Sequence, residues 1–171
     1  LYYREKGSRG RNRIARRDVN SEPFMRLCEW IIKDLGGQVV RIGDPGMTPF
    51  PDLPGFVDLS RLEDQFLLQA NSVARARFGV VTSSGPAALF GAFGIPHCIS
   101  NAIGFSTNWR ETDFVLPRHF RGPNGDLFDV SDAVSGGYWN EFTVENMLQQ
   151  GGYTPIDNSP EELKAAANIL H

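Results

Sequence analysis

The stretch Ala76–Gly94, ARFGVVTSSGPAALFGAFG, decides the fold. An apolar run through Phe78, Val80 and Val81 stops at Thr82-Ser83-Ser84-Gly85, and a helix-like pattern begins at Pro86. Strand, tight hydroxyl-bearing turn and helix in immediate succession predict half of a βαβ unit, with the turn at the carboxyl edge of a parallel sheet. Free backbone N–H groups and the positive end of a helix dipole meet there, a seat for a phosphate or diphosphate. The alternative for the same residues is that Ser83 or Ser84 caps the helix and does nothing more.

The alternation continues on both sides of this unit. Leu1–Arg4 reads as a strand already under way with no initiator methionine, so residues 1–171 are expected to be one domain of a longer polypeptide, lacking an N-terminal partner domain. Lys6–Arg17 reads as a loop with Lys6, Arg9, Arg11, Arg13, Arg16 and Arg17. Asn20 or Ser21 caps a helix with Pro23 in its first turn and Phe24, Leu27, Cys28, Ile31, Ile32 and Leu35 on one face, ended by Gly36-Gly37. Gln38–Ile42 is a second strand closed by Gly43-Asp44-Pro45-Gly46, and Phe56–Leu59 a third. Ser60 and Glu63 have capping-box spacing for a helix that buries Phe66, Leu67 and Ala70.

Downstream, Ile95–Ile99 and Asp113–Leu116 read as strands, and Arg121–Gly137, rich in Gly, Asp and Ser, as loop. A short helix is expected from Thr143 to Gln150. Ser159-Pro160-Glu161-Glu162 opens a final helix, Glu161–Leu170. Strands alternating with helices at this spacing predict an α/β fold: a doubly wound, mostly parallel sheet in a three-layer αβα sandwich, Rossmann-like.

Composition narrows the function. The net charge of −3 gives no general reason to expect nucleic acid. No apolar run approaches the ~18 residues of a membrane span, and no signal-peptide pattern occurs. Cys28 and Cys98 lack metal-type spacing and read as buried thiols. HExxH, CxxC, GxGxxG, Walker and GxSxG motifs are all missing, which argues against the usual zinc hydrolases, dinucleotide dehydrogenases, NTPases and serine esterases.

Candidate ligand groups gather at strand ends. Arg4, a charge inside a buried strand, either pairs with Glu5 or another carboxylate or points into the cleft. Arg11 or Arg13 of the basic loop can pair bidentately with phosphate, against the alternative of a solvated loop. Arg41, Gly43 and Asp44 bracket the end of the second strand: Gly43 permits close backbone approach, and Asp44 either receives a ribose hydroxyl or makes a turn with Pro45. Asn101 follows the fifth strand and hydrogen-bonds either a sugar or a loop backbone. For acid–base chemistry, Glu5 and His119 are the candidates, while His97 reads as packed.

The order of segments resembles a family of bacterial surface-polysaccharide glycosyltransferases with a GT-B-like fold. The resemblance rests on Tyr3-Arg4-Glu5, where the family has His-Val-Arg-Asp/Glu, on Arg11-Asn12-Arg13, and on Gly37–Asp44. Its strongest parts are Phe78–Gly85 with Phe90–Pro96 and Asn101, and Asp157–Glu162 matches the entry to the family's C-terminal helix. Tyr2-Tyr3 replace the family's histidine and valine, so no role for that histidine carries over. The resemblance implies the donor-binding half of a two-domain, metal-independent transferase. Its substrate would be a nucleotide sugar, with no tightly bound cofactor, and the acceptor a cell-surface glycan, handled in the cytoplasm at the inner face of the membrane. Thr82, Ser83, Ser84 and Gly85 would then hold phosphate, with positive charge from Arg4, Arg13 and Arg41. The rivals are a CMP-sugar (Kdo-type) transferase and a catalytically silent nucleotide- or glycan-binding module.

Overall fold

The first residues of the chain lie at the middle of the sheet in a computed structural model. The structure describes residues 1–5, 17–62, 65–103, 110–128 and 150–171, together with positions 131, 135, 144 and 148. In chain order the elements are α1 (Glu22–Lys33), β1 (Val39–Arg41), β2 (Phe56–Asp58), a 3-10 turn (Leu59–Arg61), α2 (Phe66–Ala74), β3 (Gly79–Thr82) and α3 (Ala87–Phe93). There follow β4 (His97–Ala102), β5 (Phe114–Pro117), β6 (His119–Arg121), β7 (Thr154–Ile156) and α4 (Pro160–Leu170). The fold is mixed α/β with parallel strands.

β1 pairs in parallel with β2, and β3, β4 and β5 form a second parallel set. Leu1 and Tyr2 join the two. The Leu1 backbone nitrogen donates to the Val40 carbonyl at 2.7 Å and the Leu1 carbonyl accepts from the Ile42 amide at 2.9 Å. That alternation is the parallel-ladder pattern. On the other side the Tyr2 amide donates to Val80 and its carbonyl accepts from Thr82, at 3.0 and 3.1 Å, making a parallel bridge to Val81. The spatial order is therefore β2, β1, Leu1–Tyr2, β3, β4, β5.

Every residue of β3 and β4 is buried, as expected for parallel strands covered on both faces. Successive residues point to opposite sides. Tyr3, Val80 and Cys98 pack with Phe24 and Leu27 of α1 and Leu163, Ala166 and Ala167 of α4. Tyr2, Ile42, Val81 and Ile99 pack with Val73 of α2 and with Ala87 and Phe90 of α3. Burial pushes both thiols, Cys28 and Cys98, up to about 12, and neither is in a disulfide.

Several local features follow from side-chain chemistry. Asn20 supplies the cap at α1, its Oδ1 accepting from the Glu22 amide at 3.1 Å, while Ser21 makes no side-chain cap. Ser159 and Glu162 form the reciprocal capping box at α4. The α2 region departs from the sequence expectation. Ser60 lies in the 3-10 turn, where its hydroxyl and amide both donate to Asp58, and the helix starts only at Phe66. Its buried side is Gln69 and Val73, leaving Phe66 and Leu67 at 66% and 77% exposure. The β6–β7 antiparallel ribbon is not among the expected strands; its first strand, His119–Arg121, ends where the expected loop begins. Most of the helix expected at 143–150 lies outside the described residues.

Gly79 marks the tightest contact between β3 and α3. A Cβ built there would sit 2.2 Å from Cε1 of Phe90, itself only 2% exposed. Gly79→Ala should cost about 1–3 kcal/mol in urea denaturation, and adding Phe90→Leu should recover part of the loss. Equal stability of Gly79→Ala and wild type would contradict this packing.

Candidate functional site

The loops that follow Tyr3, β1, β3 and β4 all emerge at one edge of the sheet. The sheet also changes direction there: β1 and β2 lie on one side of Leu1–Tyr2, and β3, β4 and β5 on the other. Connections that diverge in this way leave a crevice at the carboxyl ends of the strands. Arg4 and Ser83–Gly85 stand on either side of it.

Thr82 is buried and acts as a strap across the crevice floor. Its Oγ1 accepts from the Arg4 amide at 3.1 Å, and its own amide donates to Tyr2. Ser84 Oγ donates to the Thr82 carbonyl at 3.4 Å. No side chain caps α3; the amides of Ala87 and Ala88 are taken by the carbonyls of Ser84 and Gly85. The amides of Ser83, Ser84 and Gly85, by contrast, meet no acceptor among the described residues. Gly85 is exposed, and a Cβ there would meet nothing within 4 Å. The turn offers backbone N–H groups and open approach.

Burial lifts the pKa of the Tyr2 hydroxyl, and the Ser84 hydroxyl, Asp44, Arg4 and Asp18 all act on it. Arg4 is anchored by Nε, 3.3 Å from Asp18 Oδ1, with its side chain 16% exposed. The carbonyl of Asp44 closes a turn onto the Met47 amide at 3.1 Å, but its half-buried carboxylate has no partner among the described residues. Arg4 follows Tyr2, Asp44 follows β1 and Ser84 follows β3, so all three lie at the carboxyl edge of the sheet.

Other candidates are committed elsewhere. Arg41 is fully buried: Nε and Nη2 grip Asp58 at 3.1 and 2.5 Å, and Nη1 donates to the Tyr3 hydroxyl and the Thr48 carbonyl at 2.8 and 2.7 Å. The guanidinium carbon also lies 4.5 Å from the Phe50 ring centroid. It braces the core and has no free fork to offer a ligand. Gly43, at φ 150°, faces inward: a Cβ would sit 2.2 Å from Met47 Sδ. Its backbone is clamped by Gln69, which accepts from the Gly43 amide at 3.2 Å and donates to its carbonyl at 2.9 Å. Glu5 accepts from both the amide and the hydroxyl of Thr48. Arg11 and Arg13 lie outside the described residues.

Asn101 has φ 50°, the one non-glycine residue in the left-handed region among those described. Asn158 holds it there by a reciprocal pair: each backbone amide donates to the other's Oδ1, at 2.6 and 2.8 Å. Asn158 Nδ2 ties the pair to the Pro117 carbonyl at 2.9 Å, while Asn101 Nδ2 is buried with no acceptor. His119 Nε2 is 2.6 Å from Glu162 Oε1, within the α4 capping box. His97 is fully buried, with Nδ1 3.1 Å from both Asp113 Oδ1 and the Ile95 carbonyl. The sequence reading missed Tyr2, Asp18, Gln69 and Asn158. Tyr2 was the findable one, as a hydroxyl-bearing side chain on the opening strand.

Two cavities lie away from this crevice. One of about 660 Å³ opens at the amino ends of Leu1, β1 and β3, among Cys28, Gly37, Phe78, Arg77 and His171. Another of about 570 Å³ is lined by Phe50, Pro51, Phe56 and Arg61. Neither borders Ser83–Gly85. Among the described residues no cluster of His, Cys, Asp and Glu is placed to hold a metal, and no helix is long and apolar enough to cross a membrane. Compared with known protein families, curated proteins and solved structures, the chain matches none.

Two predictions follow from these bonds. Arg41→Ala strips the buried countercharge from Asp58, leaving it the half-exposed Arg61 at 3.8 Å, and should cost about 3–5 kcal/mol in equilibrium unfolding; a loss below 1 kcal/mol would contradict the bracing role. Glu162 is held below the ordinary carboxylate range: burial opposes this, but the Ser159 amide and hydroxyl and His119 outweigh it. A carboxylate with a depressed folded pKa adds stability above its unfolded pKa and loses it as the pH falls through the folded value. Glu162→Gln should therefore flatten the acid limb of the stability curve below about pH 5, as read by thermal melts. An unchanged limb would refute it.

Proposed function

We propose that the carboxyl-edge crevice seats the phosphates of a nucleotide sugar, and that the chain is the donor-binding half of a glycosyltransferase. The observation that carries this reading is the reversal of strand order at Leu1–Tyr2, with the unpartnered amides of Ser83, Ser84 and Gly85 beside it and Arg4 across from them. Open parallel sheets bind ligands at such a reversal, and backbone N–H groups with a nearby cation stabilise phosphate oxygens. The two apolar clusters on opposite sides of the sheet support a doubly wound, three-layer αβα arrangement of Rossmann-like type. The glycosyltransferase family resemblance supports a sugar nucleotide over other nucleotides.

Charge in the sequence agrees with the location. Residues 6–16 carry five cations and no carboxylate, and they leave and rejoin the described chain at Glu5 and Arg17. The Arg4 carbonyl accepts from the Val19 amide at 2.9 Å, which ties together the described residues on either side of that stretch. Leaving diphosphate is then stabilised by the turn's fixed amides and by Arg4, in place before reaction. Arg41 has no part in this, and Thr82 acts through its strap rather than on the ligand.

The transfer step needs a base and an acceptor site. Glu5 and His119 are both hydrogen-bonded within the fold, so these groups would come from a second domain of the same polypeptide. The same observation favours a second reading, a nucleotide-binding module with no chemistry of its own.

Thermal-shift titration with UDP, GDP, ADP and CMP tests the seat. A nucleotide at ten times its Kd should raise Tm by roughly 3–6 °C. Ser84→Pro, which removes one amide, and Gly85→Ala, whose methyl enters open space, should lose most of that shift. No shift with any nucleotide at millimolar concentration contradicts the reading. A response to CMP alone favours a CMP-sugar donor, and binding without sugar transfer or hydrolysis in the full polypeptide favours the silent module.

A further inference from the structure

The cavity beside β2, at the outer edge of the sheet, has no part in the function proposed above. It encloses about 570 Å³ against Phe50, Phe56 and Arg61, within the range of roughly 300–1,000 Å³ common for small-molecule sites. The segment that walls it is held at both ends. Arg41 Nη1 donates to the Thr48 carbonyl at 2.7 Å, and Glu5 accepts from the Thr48 amide and hydroxyl. At the other end the Leu53 carbonyl accepts from the Phe56 amide at 2.9 Å. Between these anchors Pro51 and Pro54 line the cavity, and their rings lock the backbone φ. The cavity is therefore shaped by the fold before any ligand arrives.

Its apolar wall is the end of a series of near-parallel rings. Phe24 and Tyr3 stack at 4.7 Å between centroids, Tyr3 and Phe50 at 5.8 Å, and Phe50 and Phe56 at 5.2 Å, with interplanar angles of 18°, 18° and 20°. The series starts at fully buried Phe24 and Tyr3 and finishes at half-buried Phe50 and Phe56 on the cavity wall. Such a wall suits one more flat ring, in an offset-stacked or edge-on pose. The polar wall is Arg61, whose side chain is 51% exposed. Its Nε lies 3.8 Å from Asp58 Oδ2, too far for a hydrogen bond, and that oxygen is already taken by Arg41 Nη2 at 2.5 Å. The Arg61 guanidinium makes no hydrogen bond among the described residues, and its fork matches a carboxylate. Asp52 and Asp58 share the lining and repel a second negative charge. We propose that this cavity binds a planar aromatic monocarboxylate, its ring against Phe50 and Phe56 and its carboxylate on Arg61. The cavity does not border Ser83–Gly85, so the proposal stands apart from the phosphate seat.

Isothermal titration of the whole chain with 2-naphthoate tests this, against two analogues that each lack one feature. The uncharged 2-naphthamide should bind wild type roughly tenfold more weakly, the loss expected of a charged hydrogen-bonded pair at a half-exposed site. The saturated decalin-2-carboxylate keeps the charge and the size but has no flat ring, and should bind severalfold more weakly. Both comparisons use wild type alone and so do not depend on a variant folding. Arg61→Gln, at an exposed position, should weaken 2-naphthoate roughly tenfold and leave 2-naphthamide unchanged. Ser84→Pro, which disturbs the phosphate seat, should alter neither. No binding of 2-naphthoate at millimolar concentration overturns the proposal. So does equal binding of the carboxylate and the amide, equal binding of the flat and saturated rings, or an Arg61→Gln variant of unchanged Tm that still binds 2-naphthoate fully. None of these results bears on nucleotide binding at Ser83–Gly85.

Discussion

Four backbone hydrogen bonds made by Leu1 and Tyr2 hold the sheet together. Without them β1 and β2 would be one pair and β3, β4 and β5 a separate set. With them, six extended segments run the same way and the order reverses at the middle. The two successive tyrosines then divide between the faces: Tyr2 goes to the side of α2 and α3, Tyr3 to that of α1 and α4. The crevice is a consequence of the same insertion, since it lies where the connections on either side part company.

Arginine has two separate uses in this chain. Arg41 is a structural cation, sealed among Asp58, Tyr3, Thr48 and Phe50, with its donors satisfied. Arg118 is of the same kind: it reaches the Asp18 carbonyl and Asp157, and Asp157 in turn accepts from the Asn20 amide at 2.7 Å. Arg4 differs in having one carboxylate partner, Asp18, at its Nε, with its side chain 16% exposed.

The turn-and-helix unit around Ser83–Gly85, the strand positions and the Ser159–Glu162 cap were legible in the sequence, because each rests on local chemistry: an apolar run, a breaker, a capping side chain. What was not legible depended on distant partners. Phe66 and Leu67 look like core residues by type, yet Gln69 turns inward because the Gly43 backbone needs its amide, and that rotates the helix. Arg41 and Gly43 stand at a strand end, where a ligand group is expected, but Asp58, the register partner of Arg41 on β2, and Met47, in the turn after Gly43, claim them first. Thr48, reached through the turn after β1, does the same to Glu5. The β6–β7 ribbon joins residues more than thirty apart, which no local pattern announces.

An ¹H–¹⁵N NMR titration of the chain with a nucleoside diphosphate tests the central claim most directly, because it reports which edge of the sheet the ligand meets. The account predicts that the largest amide shifts fall on Ser83, Ser84, Gly85 and Arg4. Shifts confined to Gly37, Phe78 and Arg77 around the amino-edge cavity, with the Ser83–Gly85 amides unmoved, would contradict it.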